Sequence, residues 1–156
     1  MRRWRQPTPY GEIAVVVSDR GVRHIILQPM SLPGDDGADG TPDRAVARQL
    51  DEWFIGKRHA FDLALDLDGI DGFPRAALET LAREVGWGET VTYGELAEMA
   101  GGPRAARAAG RAMRNNPIPF VIPCHRVVAA GNRIGGYGVI SLKRALLARE
   151  GVTTLR

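Results

Sequence analysis

Thiols are nearly absent from this 156-residue sequence: Cys124 is its one cysteine. A lone cysteine excludes an internal disulfide and any structural zinc site built on several thiolates. It also points to a reducing, cytoplasmic setting. Long apolar runs are missing too. No stretch approaches the roughly 20 residues that a spanning helix needs, so no membrane partner is expected. The N-terminal MRRWRQPTPY is basic, but no apolar segment of the secretory type follows it, so no export signal is expected. There is no internal repeat. Acidic residues thin out along the chain. Residues 1–85 hold 11 Lys/Arg against 14 Asp/Glu, a balance of −3; residues 86–156 hold 10 against 4, a balance of +6. The second part is therefore the side expected to meet an anionic partner.

With 44% hydrophobic and 25% charged residues, the chain can build a real core as one large domain or two small ones. Residues 10–28 read as a hairpin: "EIAVVV" and "VRHIIL" are β-rich, and Ser18-Asp19-Arg20-Gly21 has turn chemistry. Residues 31–42, "SLPGDDGADGTP", read as a mobile polar loop. After Asp43, apolar residues at 46, 50, 53 and 54 have helical spacing, ending at Gly56. "FDLALDL" alternates, with Phe61, Leu63, Leu65 and Leu67 on one side, and predicts a half-buried strand. "DGIDG", 68–72, reads as a linker. The expectation is an α+β chain: a small sheet-plus-helix module over 1–70, then a mostly helical domain over 71–156.

That second domain has a readable order. "PRAALETLAREV" predicts a helix that tolerates Pro74 in its first turn. Thr92 with Glu95 three residues on has capping-box spacing for "YGELAEMA". Gly101-Gly102-Pro103 then separates this helix from "RAARAAGRAMRNN", a helix-turn-helix pattern. "SLKRALLARE" predicts a last helix capped by Ser141. The second helix of the pair carries Arg104, Arg107, Arg111 and Arg114. At roughly 100° per residue these fall within an arc of roughly 80°, among small residues and with no acidic neighbour. Such a stripe suits phosphate contact and groove entry, and points to nucleic acid.

"NPIPFVIPCHRVV" brings the thiol onto a turn stiffened by Pro117, Pro119 and Pro123. His125 and Arg126 follow it directly. An unperturbed thiol titrates near ~8.5, and cationic neighbours favour its thiolate. From the residues alone, the reading stops at a nucleophilic thiol near a nucleic-acid surface, with a buried structural cysteine as the bland alternative. Cys124 and His125 by themselves are too few ligands for a metal site.

"PCHRV" after "NPIPFVI" resembles the active-site segment of the O6-alkylguanine-DNA alkyltransferases, also called methylated-DNA–protein-cysteine methyltransferases. The similarity runs upstream through "GETVTYGELAEMAGGPRAARAAGRAMRNNP" and downstream to "GGYGVISLKRALLAREG". It is looser through "TPYGEIAVVVSDRGV", "LDEWFIGKR" and "FDLALDL". The resemblance implies direct, irreversible and stoichiometric repair. A methyl or other alkyl group would pass from O6-alkylguanine, and from O4-alkylthymine, to Cys124 after the base is flipped from the duplex. It implies double-stranded alkylated DNA as partner, a monomer without an obligate protein partner, and neither cofactor nor metal.

Roles follow from the same resemblance. Cys124 would be the nucleophile, His125 its base through a bridging water, and Glu150 the acid that orients the imidazole. Arg107 would be the finger that fills the gap in the duplex, beside phosphate contacts from Thr92, Arg104, Arg111 and Arg114. Tyr93 would press on the backbone and donate a proton toward the departing guanine. Asn116 would be the hinge between the helix pair and the thiol turn. Tyr137, Val127 and Gly138 would line the base pocket, with the carbonyls of Cys124 and Val127 receiving the exocyclic amine. The chain departs from the family pattern where "GVIS" replaces a customary glycine pair in a shortened loop over 138–142. Two alternatives remain on the sequence: a non-catalytic alkylated-DNA-binding or regulatory helix-turn-helix protein, which Cys124 argues against, and a redox or hydrolytic thiol enzyme.

Overall fold

The apolar run "IAVVVS" forms the middle strand of a three-stranded antiparallel sheet in the computed structural model, which describes residues 1–27 and 40–156. The strands are β1 (Arg2–Gln6), β2 (Ile13–Ser18) and β3 (Gly21–Leu27), in the order β1-β2-β3. β2, paired on both edges, is buried along most of its length. The β2–β3 hairpin turns where Ser18-Asp19-Arg20-Gly21 was expected to turn it, with a bulge at Val16/Val17. β1 was not anticipated. Its "RRWRQ" carries only Trp4 as an apolar anchor, and a lone aromatic gives no period to read. Of the loop expected over 31–42, only residues 40–42 lie among the described residues.

Packing divides the chain into two units, Met1–Leu67 and Asp68–Arg156. In the first, Asp43 caps α1 (Arg44–Phe54) by accepting from Val46 N at 3.1 Å. The buried face of α1 is Val46, Gln49, Leu50, Trp53 and Phe54. The predicted strand "FDLALDL" does not form. Only Leu65 bridges, in parallel to Val22, and Gly21 fits there because any side chain would strike Ala64 O. The alternation fails at Asp66. That residue is buried beside Leu67, with its carboxylate taking bonds from Ser18 and Arg23.

In the second unit, α2 (Gly72–Glu84) packs on α3 (Tyr93–Met99) and α4 (Ala106–Arg114). β4 (Val91–Thr92) precedes α3. The capping box is complete: Glu95 N donates to Thr92 Oγ1 at 3.0 Å, and Thr92 N donates to Glu95 Oε1 at 2.9 Å. Gly101, at φ 88°, ends α3, and Gly102 lies so close to Phe73 of α2 that a Cβ would collide with its ring. α4 starts later than the periodicity predicts. Arg104 stands in the turn at φ 74°, outside the helix, so α4 itself carries Arg107, Arg111 and Arg114.

Beyond α4 the chain passes through a 3-10 turn, Cys124–Arg126, into β5 (Val127–Val128). β5 pairs in parallel with β4, setting Val91 against Val127 and Thr92 against Val128. The last helix, α5, runs over Ile140–Arg149 and is capped at Val139, not at Ser141 as expected. Ser141 is already inside its first turn, and the Val139 side chain supplies no cap hydrogen bond. No helix among the described residues is long and apolar enough to cross a membrane.

Candidate active site

The prolines forbid a continuous helix between α4 and the thiol, so other groups must hold this stretch. Asn116 does so from both ends of its amide. Its Nδ2 donates to Ile122 O at 2.9 Å, and its Oδ1 accepts from Ile118 N at 2.9 Å. Phe120, inside this loop, is buried at φ 73°, a conformation bulky residues rarely adopt. Cys124 N then bonds Ile122 O at 2.8 Å, and Arg126 N bonds Pro123 O at 2.9 Å, closing the 3-10 turn.

Cys124 is 9% exposed. Burial pushes its thiol above the ordinary range. Hydrogen bonds from the side chains of Asn116 and Tyr137, and the nearby charge of Lys143, pull the other way without prevailing. The expectation that His125 and Arg126 hold it as thiolate is corrected. Arg126 and the Nε2 edge of His125 are spent on Glu150, and the cation beside the sulfur is Lys143. Cys124 therefore rests as a thiol.

The next residue is an imidazole. His125 is fully buried, with Nε2 2.7 Å from Glu150 Oε2. Arg126 Nε reaches Glu150 Oε1 at 2.8 Å, its Nη2 reaches Oε2 at 3.3 Å, and its Nη1 donates to Val85 O at 2.9 Å. Gly88 N adds a bond to Glu150 Oε1 at 3.2 Å. Burial works against the Glu150 carboxylate, but its bonds to His125 and Arg126 outweigh this and hold its pKa down at about 2. Burial likewise depresses His125, against the raising pull of Glu150. An ionised carboxylate only accepts, so Nε2 must carry the hydrogen and Nδ1 the lone pair. The imidazole is neutral, with its Nε2 edge fixed on Glu150.

A second cluster covers the other side of the thiol. Lys143, fully buried on α5, donates to Val127 O at 2.7 Å and to Gly136 O at 3.0 Å. Its ammonium lies 5.8 Å from the ring centroids of both Tyr93 and Tyr137. Burial lowers its pKa to about 8, so it is still mostly charged at neutral pH. Tyr93, the first residue of α3, donates to Gly136 O at 3.3 Å. Burial, then the Cys124 charge, raises its pKa and keeps its hydroxyl protonated. Tyr137 is raised in the same way. Gly135 must be glycine, because a Cβ would meet Ala129 N at 3.0 Å and Tyr93 Oη at 3.3 Å.

The expected residues thus fall into three groups. Cys124, Asn116, Tyr137 and Tyr93 gather at the thiol, while His125 and Glu150 form the buried pair behind it. Arg104, Arg107, Arg111 and Arg114 are all exposed on the turn and on α4; the charge of Arg114 reaches Tyr93. Thr92 is half-buried and committed to its cap. Gly138 is exposed, and Val127 is buried with one lone pair of its carbonyl taken by Lys143. Lys143 is the side chain beside the thiol that the sequence does not announce. A lysine in an amphipathic last helix reads as solvated, and the one available signal was its place within the family-like "GGYGVISLKRALLAREG" segment.

The profile of the 6-O-methylguanine DNA methyltransferase DNA-binding domain matches residues 73–152. The chain belongs to this family. A methylated-DNA–protein-cysteine methyltransferase of Methanosarcina barkeri is 36% identical over 148 residues, covering 92% of each chain. One from Mus musculus is also 36% identical, over 94% of this chain and 80% of its own. Among solved structures, the Mycobacterium tuberculosis OGT in complex with DNA superposes with a TM-score of 0.83. It is 33% identical and covers 99% of this chain and 96% of that one. The α+β architecture is therefore that of the 6-O-methylguanine DNA methyltransferases as a whole, and both the thiol turn and the helix pair lie within the matched domain.

Proposed function

We propose that this chain repairs DNA by taking the alkyl group of O6-alkylguanine onto Cys124, once per molecule. The observation that carries the reading is a single buried thiol backed by a neutral, carboxylate-oriented imidazole. Double-stranded DNA lies along α3 and α4, with phosphates on Arg104, Arg111, Arg114 and the Thr92–Tyr93 helix start. Arg107 enters the duplex in place of the extruded base, since the O6 atom cannot be reached within the stack. O4-alkylthymine is accepted by the same route.

His125 Nδ1 takes the thiol proton through a water. The sulfur forms a bond to the alkyl carbon as the carbon–O6 bond breaks. The positive charge of Lys143 and the Asn116 and Tyr137 hydrogen bonds favour the sulfur as it becomes negative. Tyr93, held protonated, supplies the proton that leaves on guanine, and His125 returns its own proton to the tyrosine side. The product is a neutral thioether and an unmodified guanine, so atoms and charge balance. Val127 O keeps a second lone pair for the exocyclic amine. Asn116 ties α4 to the thiol turn as the hinge, and Tyr137 and Gly138 edge the pocket. The protein works as a cytoplasmic monomer.

Incubation with a duplex containing one O6-methylguanine, followed by intact mass measurement, tests this. The expected result is a gain of one methyl group that Cys124→Ala abolishes. Tight duplex binding with no gain of mass would instead leave a non-catalytic lesion-binding protein.

A further inference from the structure

Glu150 is held by more donors than an imidazole alone supplies: His125, the Arg126 guanidinium and Gly88 N all reach its carboxylate. The charged groups facing His125 are Glu150 and Arg149 at the end of α5, and Arg126 on its own turn. Arg149 stacks its guanidinium 4.8 Å from the Trp87 ring centroid. Arg126 spends its fork on both oxygens of Glu150 and its remaining arm on Val85 O, at the end of α2. A buried carboxylate with only an imidazole for company would draw a proton onto that imidazole, because an ion pair costs less than a lone buried charge. A guanidinium that already balances the carboxylate removes this need.

We propose that Arg126 is a positioning residue for alkyl transfer: by clamping both oxygens of Glu150, it absorbs that charge and keeps His125 a neutral base. The Nε2 hydrogen of His125 then serves orientation alone, and its Nδ1 stays unprotonated at neutral pH. Tethering to Val85 O also fixes the clamp to α2, so the carboxylate cannot swing with the end of α5. The proposal rests on the transfer reading above for its catalytic meaning, while the clamp itself is readable without DNA.

Nitrogen NMR of the histidine side chains in the full chain reads the protonation of His125 directly, with His125→Gln marking its signals. In the native protein, His125 is expected as the Nε2–H neutral tautomer at pH 7; an imidazolium there overturns the proposal. In Arg126→Gln, the midpoint should rise by about one pH unit or more, a tenfold gain in proton affinity. The acid limb of the methyl-transfer rate should move with it. Arg126→Lys keeps the charge and should hold the midpoint within about half a unit of native. If Arg126→Gln does not fold, Arg126→Lys and the native tautomer decide. An unmoved midpoint in Arg126→Gln, or one that moves by a full unit in Arg126→Lys, overturns the proposal. A moved midpoint beside a native protein that transfers no methyl would sink the transfer reading and leave the clamp standing.

Discussion

Both units of this chain bury polar side chains, and they use them in opposite ways. In Met1–Leu67 the buried groups are Gln6, Gln49 and Asp66, and each ties one segment to another. Gln49 exchanges two bonds with the backbone of Asp62, at 3.1 and 2.8 Å. Gln6 joins Trp4 to Asp51 of α1. In Asp68–Arg156 the buried groups are Thr80, His125, Arg126, Lys143 and Glu150. Four of these can carry charge, and they gather about one sulfur and the imidazole behind it. Amides in a core satisfy backbone at modest cost, whereas charges there are expensive to desolvate. Ionisable groups clustered at one site mark chemistry; in the first unit the one buried carboxylate, Asp66, is spent on Ser18 and Arg23 and the rest are amides, which marks architecture.

The contrast is sharpest at the imidazole. His125→Gln should slow methyl transfer by about 10²–10⁴-fold, the usual share of a general base, as followed by time-resolved intact mass. A loss below about tenfold would place the base elsewhere. Acid should expose the same unit next. The Glu150 carboxyl is held at about 2 against an ordinary 4.5. Its contribution is complete above about 4.5 and gone below about 2, on the order of 3 kcal/mol. His125, held below its ordinary 6.5, adds to this. The unfolded chain takes up that proton first, so stability already declines as pH falls past 6.5. Denaturant melts from pH 7 to 3 should show a steep loss that Glu150→Gln flattens.

Gln49→Ala tests the other half of the contrast. It strands the Asp62 backbone pair and should cost about 1–3 kcal/mol in unfolding free energy, with the transfer rate at 25 °C unchanged. A changed rate would break the division between architecture and chemistry. Within the second unit, Arg107→Ala should slow transfer about tenfold, a loss of ~1.4 kcal/mol, while weakening duplex affinity no more than Arg104→Ala does. Arg104→Ala should have the smallest effect, lowering the salt slope of binding by about one counterion. Equal losses in both measurements for the two variants would remove Arg107 from its special place.

Local signals were the ones a reader of the sequence could use. Thr92 and Glu95 announce their cap because both partners lie within one turn. The hairpin turn at 18–21 and the Asp43 cap are legible for the same reason. Where tertiary structure overrides a local pattern, the reading slips. "FDLALDL" alternates as a strand does, yet Ser18 and Arg23 draw Asp66 inward. Arg104 fits the helical stripe by spacing, but the chain must still turn after Gly101-Gly102-Pro103, which leaves it at φ 74° outside α4. Ser141 looks like a cap, yet α5 begins one residue earlier. At the site, the adjacency of Cys124, His125 and Arg126 is plain in sequence, but their directions are not. Only the fold shows that His125 Nε2 and Arg126 face Glu150 while Lys143, from 19 positions away in the chain, lies beside the sulfur.

The two-residue parallel ladder of β4 and β5 splices the start of α3 to the exit of the thiol turn. Reading head and reactive atom are thus bolted into one block, with the Asn116 amide as a second bolt. On the repair reading proposed above, a block tied together in this way leaves the movement to the purine. Mispaired or weakly stacked lesions, already halfway loose, should therefore be mended soonest.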